Sequence, residues 1–172
     1  MDAIAQLRQD FQSAHGFLEG TIQGVDGERA HWTPPGVANP LGANYAHVAF
    51  AEDGMINGLI RKGAPLFASR FAGRTGVSAP PPQGGAWDAW AREVRVDLSE
   101  LREYANAVYA ETDGWLGSLA AGDLQTEVDL SMAGQGQQTV SRVLGILVGN
   151  SWMHCGEAAC LKGLQGLKGY PM

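Results

Sequence analysis

The sequence predicts an all-α domain: a four-helix bundle with a long crossover loop and a short extended segment before the last helix. Three observations lead there. Four stretches repeat apolar residues at steps of three and four, the signature of one helix face. The connections between them are dense in Gly and Pro. The 172 residues, 45% of them apolar, fit one domain (1–172) with a substantial core.

The first helix is read from Ile4, Leu7, Phe11, Leu18 and Ile22, with Gly24 and Gly27 as its stop. The turn-forming stretch DGERAHWTPPG follows as a loop. Asn39-Pro40 reads as an N-cap with Pro at the first helical position, opening a second helix over 41–61. Leu41, Tyr45, Val48, Met55 and Leu59 form one stripe of it; Ala43, His47, Phe50 and Gly54 form the adjacent one.

Residues 62–86, with Gly63, Pro65, Gly73, Gly76 and Pro80 to Pro82, are expected to be a long connection with one helical turn at 66–71. Such a segment serves as a lid, a binding loop or a plain crossover. The third helix steps through Trp87, Trp90, Val94, Leu98, Leu101, Ala105 and Val108, and Thr112 or Asp113 is the expected cap of a short extra helix through Trp115 and Leu119. Residues 125–132 alternate at Val128, Leu130 and Met132, one arm of a small ribbon, and AGQGQQ is the turn after it. The last helix starts at a Thr139 cap and runs to about Leu164. Its inward stripe is read as Val143, Leu147, Asn150, His154, Ala158 and Leu161, with Gly163, Gly166, Gly169 and Pro171 closing it.

Composition narrows the function. Net charge is −6 and the 12 basic residues are scattered, which argues against a nucleic-acid partner. The longest apolar stretch, 140–160, is interrupted by Asn150, His154 and Glu157, so no membrane span is expected. The start MDAIAQLRQD lacks the features of a signal peptide, and a cytoplasmic location is the expectation. Cys155 and Cys160, five apart on one helix, point in different directions and read as reduced small hydrophobes. Glycine, at 24 residues, recurs inside helical patterns and suggests close packing.

The strongest chemical signal is in the last helix. Asn150 and His154 stand one turn apart where the apolar pattern calls for core residues, and Glu157 follows three later. A buried polar pair needs partners, because an unsatisfied group costs about 1–3 kcal/mol. A lone inward His often just donates to a backbone carbonyl. His47, a second imidazole on another helix, favours a metal site instead, since a helical pair plus a His from a neighbour makes a three-ligand set. The other candidates read as structural. His15 is expected half-buried, and His31 in packing or at the surface. Glu52 and Asp53 are expected solvated or supporting, and Trp87, Trp90 and Trp115 in the core. Cys155 turns about 100° away from His154, a poor fourth ligand. Trp152 and Tyr170 are candidates for an interface.

Three passages resemble the DinB-like family of damage-inducible proteins, the DinB/YfiT-like metalloenzymes. They are HWTPPGVANPLGANYAHVAFAEDGMING, the hinge AGQGQQTVSRVLGILV, and NSWMHCGEAACLKGLQGLKGYP with its His-x-Gly-Glu. In element order the likeness covers nearly the whole chain. It implies an up-down-down-up four-helix bundle, often a homodimer, holding a divalent metal, zinc or nickel, between helices two and four. The family's ligands are a His and then His-x-x-x-His. His47 and His154 match the first and third, and Asn150 stands at the second. There the chain departs from the pattern, because a neutral carbonyl oxygen binds zinc or nickel less strongly than imidazole. The resemblance further implies a metal-dependent enzyme acting on a small-molecule substrate, by thiol transfer, isomerisation or hydrolysis, with Glu157 supporting His154. The alternative is a non-catalytic bundle with a degenerate site that binds a small ligand or a partner protein. A purely structural dimerising module that uses its tryptophans is the third.

Overall fold

The computed structural model describes residues 2–82, 87–131 and 134–172. Helix α1, Ala3–Ile22, begins where the Asp2 carboxylate accepts from the Ala5 N–H at 2.8 Å. The stretch expected to be a loop contains a short helix, α2, Gly27–His31, capped in the same way by Asp26 on the Arg29 N–H. Turn-forming composition hid that capping signal. Helix α3, Leu41–Asp53, starts on Pro40 at the cap position itself, not on Asn39, and continues as π-helical turns over Gly54–Ile60. The expected helix over 41–61 is thus right in length but wider in its second half. A 3₁₀ turn at Leu66–Ala68 occupies the expected site in the crossover, whose residues 83–86 lie outside the described range.

The third helix is two. Helix α4 spans Trp87–Glu93 and helix α5 spans Leu98–Leu116. Val96 pairs with Val77 across the break, and the Asp97 N–H donates to Gly76 O at 2.7 Å. Asp97 then caps α5 through the N–H groups of Ser99 and Glu100. Gly76 is required for this approach: at φ +74° its absent Cβ would lie 2.3 Å from Leu101 N. Apolar periodicity runs unbroken across the junction, so it could not register the break. Helix α5 passes through Thr112 and Asp113, neither of which caps a new helix, and a 3₁₀ turn follows at Ala121–Gln125.

Strand β1, Glu127–Asp129, is the expected ribbon arm and pairs antiparallel with β2, Gln137–Thr139, Val128 opposite Gln138; Gln137 and Gln138, read as part of the turn, are strand because their backbone closes this ladder, and Met132 lies outside the described residues. Helix α6, Val140–Leu164, opens with Thr139 accepting from the Arg142 N–H.

The molecule is mostly helical. Helix α1 packs on α5 and α6, and α3 packs on the same two from the other side. One core cluster centres on Leu18, Tyr45, Leu101, Tyr104 and Leu161, and a second, toward the ribbon, on Phe11, Ile56, Leu116, Leu144 and Leu147. Full burial of each large side chain is worth about 1.5–3 kcal/mol. Near the end of α6, the buried Lys162 ammonium donates to the carbonyls of Thr21 and Gln23, satisfying the C-terminal end of α1.

Two expectations are overturned by burial. The predicted inward stripe of α6 holds at Val143, Leu147, Ala158 and Leu161, but in its middle Ser151 and Cys155, both 1% exposed, take the buried positions, while Asn150 and His154 are half-buried beside them. Small side chains suit this face because α1 lies close, with Thr21 Oγ1 3.2 Å from Cys155 Sγ. Glu52 and Asp53 are not solvated but fully buried, at 1% and 0% exposure. Glu52 meets His15 Nε2 at 2.7 Å and the Thr112 hydroxyl at 2.6 Å. Asp53 accepts from Asn57, Tyr104 and the N–H groups of Leu66 and Phe67, which pins the start of the crossover to the core. Buried carboxylates are tolerated only with such donor sets.

Candidate metal centre

Helices α3 and α6 bring His47 and His154 together. Their ring centroids are 4.8 Å apart, nearly edge to face at 70°. On its other side His47 meets the Trp87 indole at 4.3 Å, also edge to face. The two imidazoles come from positions 107 residues apart in the chain, so only packing of α3 on α6 joins them.

Burial, together with the neighbouring His154, pushes the His47 imidazole down to about 4, against a smaller upward effect of the Asn150 amide. At neutral pH His47 is therefore uncharged and keeps a nitrogen lone pair free for a metal. His154 Nδ1 lies 2.7 Å from Glu157 Oε2. A carboxylate there accepts, so Nδ1 carries the proton and Nε2 is the nitrogen left for ligation.

The two imidazoles and Glu157 border a cavity of about 500 Å³ between the two helices. Asn44, Trp87, Cys160 and Leu161 form other parts of its wall. Asn150 is half-buried against His47 rather than in that wall. Among the described residues no three His, Cys, Asp or Glu side chains converge on one point. The available donor set is two imidazoles plus an amide oxygen.

The other histidines lie elsewhere and are structural. His15 stacks on Tyr109 with centroids 3.7 Å apart and is buried with Glu52, deeper than expected. His31 lies 2.6 Å from Gly27 O through Nδ1 and accepts the Val96 N–H at Nε2, which fixes the Nδ1–H tautomer and ties α2 to the α4–α5 break. Sequence reasoning missed several cavity residues, among them Asn39, Asn44, Asp88 and Cys160. Asn44 stands three before His47, a spacing that puts both on one face of α3. Cys160, read as a small hydrophobe, is exposed in the cavity wall, while Cys155 is buried; neither is disulfide-bonded.

Comparison with known proteins bears on the whole arrangement. The DinB superfamily profile matches residues 4–158, which takes in His47, Asn150, His154 and Glu157. The fold is similar to the crystal structure of a conserved protein of Enterococcus faecalis, with a TM-score of 0.80 and 19% identity over 94% of this chain and 96% of that one. No curated protein of known role shows significant similarity.

Proposed function

This chain belongs to the DinB superfamily, and on that premise we propose that it is a metal-dependent enzyme acting on a small-molecule substrate, with a divalent ion, zinc or nickel, held by His47, Asn150 and His154. The observation that carries the proposal is the 4.8 Å approach of two imidazoles from different helices at the edge of a cavity. The donor chemistry fits a borderline ion: two ring nitrogens and one carbonyl oxygen, with positions left open for a water or a substrate. Bound there, the ion would lower the pKa of a coordinated water or thiol and supply a nucleophile at neutral pH. Thiol transfer, isomerisation and hydrolysis all use that chemistry.

The chain's own residues do the positioning. Glu157 holds the proton of His154 on Nδ1 and so directs Nε2 to ligation. Trp87 and Asn150 hold the His47 ring from two sides. Leu161 and Leu164 give the cavity an apolar wall that thins the water around the reacting groups. The same reading includes an up-down-down-up four-helix frame and a cytoplasmic protein. It also includes a homodimer, for which the exposed Trp152 and Met153 on α6 supply apolar surface.

The test is direct. Protein purified without an affinity tag is assayed for bound metal by elemental analysis, as wild type and as His154→Ala. A stoichiometric ion present in the first and lost in the second supports the proposal. Absence from both, even after addition of zinc or nickel, sinks it. One observation favours a second reading, a non-catalytic bundle with a degenerate site: Asn150, a weak neutral ligand, occupies the second position and lies against His47.

A further inference from the structure

The cavity beside the two imidazoles holds polar groups that the metal chemistry leaves unused. Asn44 on α3 is 4% exposed and lines the cavity with a side-chain amide. Asn39, also in the wall, keeps a buried Oδ1 that meets no donor among the described residues. An orphaned buried carbonyl is costly, and a group of this kind at a concave site is one a ligand satisfies. The charge of the wall has one sign. Asp88 and Glu157 contribute carboxylates, and no Lys or Arg lines the cavity among the described residues. In the metal-free cavity an anionic ligand would meet these carboxylates and no cationic side chain of the described wall. A donor-rich cation would meet two carboxylates and the Asn39 carbonyl. Trp87, Leu161 and Leu164 line the same space with apolar surface suited to the body of such a ligand.

From this we infer that the cavity binds a small substrate carrying a protonated amine, whose ammonium is received by the acceptors of Asn39, Asn44 and Asp88 and whose apolar part lies along Trp87 and Leu161. The inference rests on the cavity being the substrate site, and its test is separable from the metal. It also places Asn44 and Asp88 as specificity residues, beside the imidazoles rather than among the metal ligands.

The experiment uses three probes of one size and shape, 2-phenylethylamine, 2-phenylethanol and phenylacetate, titrated calorimetrically into the full chain. All three are measured after chelator treatment, and the amine and alcohol again after zinc addition. The metal content of each sample is measured in parallel. The amine is expected to bind about tenfold or more tightly than phenylacetate in the chelator-treated protein, with the alcohol between them. Asp88→Asn, on an exposed position, is expected to lower amine affinity severalfold and leave alcohol affinity unchanged. Asn44→Ala is expected to lower amine affinity about tenfold; Asn44→Ser serves if that variant does not fold. Phenylacetate binding as tightly as the amine, indifference of amine binding to both substitutions, or no binding of any probe would each overturn the inference. Amine selectivity in a protein that takes up no zinc when zinc is added would count against the metal reading alone, and zinc uptake without amine selectivity after chelator treatment against this one alone.

Discussion

His154 and Glu157 form an i, i+3 pair on α6 in which the imidazole Nδ1 is 2.7 Å from the carboxylate, so one residue of the pair decides which nitrogen the other presents. Glu157→Gln keeps the shape but weakens the acceptor. Zinc affinity, measured by competition with a chelating dye, is expected to fall about tenfold, the lower end for such supporting groups. The glutamate is 55% exposed, so the unfolding free energy from urea titration should stay within about 0.5 kcal/mol of wild type. An unchanged zinc affinity would show that Glu157 does not orient the ligand.

Asn150 is the weak member of the proposed ligand set. Asn150→His would present imidazole at i and i+4 on α6 and complete a three-histidine site with His47. The expected outcome is tighter zinc binding by at least about tenfold, read in the same dye competition. No gain would mean that position 150 cannot reach the ion held by the other two.

His47 makes the stability of the metal-free protein pH-dependent. Its folded value near 4 lies below the ordinary 6.5, because burial and His154 oppose its charge. As pH falls, the unfolded chain takes up this proton first. The stabilisation from a neutral His47 is fully present above pH 6.5 and is lost as pH falls from there toward 4. Unfolding free energy measured across that window for wild type and His47→Gln should converge on the acid side. Parallel curves would contradict the shift.

Asp53 holds the beginning of the crossover to the core through the backbone N–H groups of Leu66 and Phe67 and, in the same carboxylate, Tyr104. Asp53→Ala strands these buried donors together. A loss of about 3 kcal/mol or more is expected from chemical denaturation, with faster proteolytic cutting within 62–82 under native conditions. A loss below about 1 kcal/mol would show that the loop is held instead by its apolar contacts, the buried Leu66 and the Phe67 ring against Phe50.

What the sequence determined by itself is what local chemistry and periodicity encode. Helix α1, the length of the second helix, helix α6 with its Thr139 cap and its end at Leu164, and the ribbon arm at 127–129 follow from apolar spacing and capping residues, which act within a few positions of one another. His47 and His154 were legible as candidates because each is polar at an apolar phase. What only the tertiary structure decided depends on which helix lies against which. The approach of α1 to α6 turned Ser151 and Cys155 inward and left Asn150 and His154 to one side. The partners of Glu52 and Asp53 come from α1, α5 and the crossover, so two carboxylates that look solvated in sequence are buried. The break at Val96 and Asp97 is imposed by Val77 and Gly76, twenty residues earlier, against an unbroken helical pattern. Periodicity reports how often a residue faces one side of its own helix; burial, pairing and the meeting of two imidazoles are properties of the space between helices.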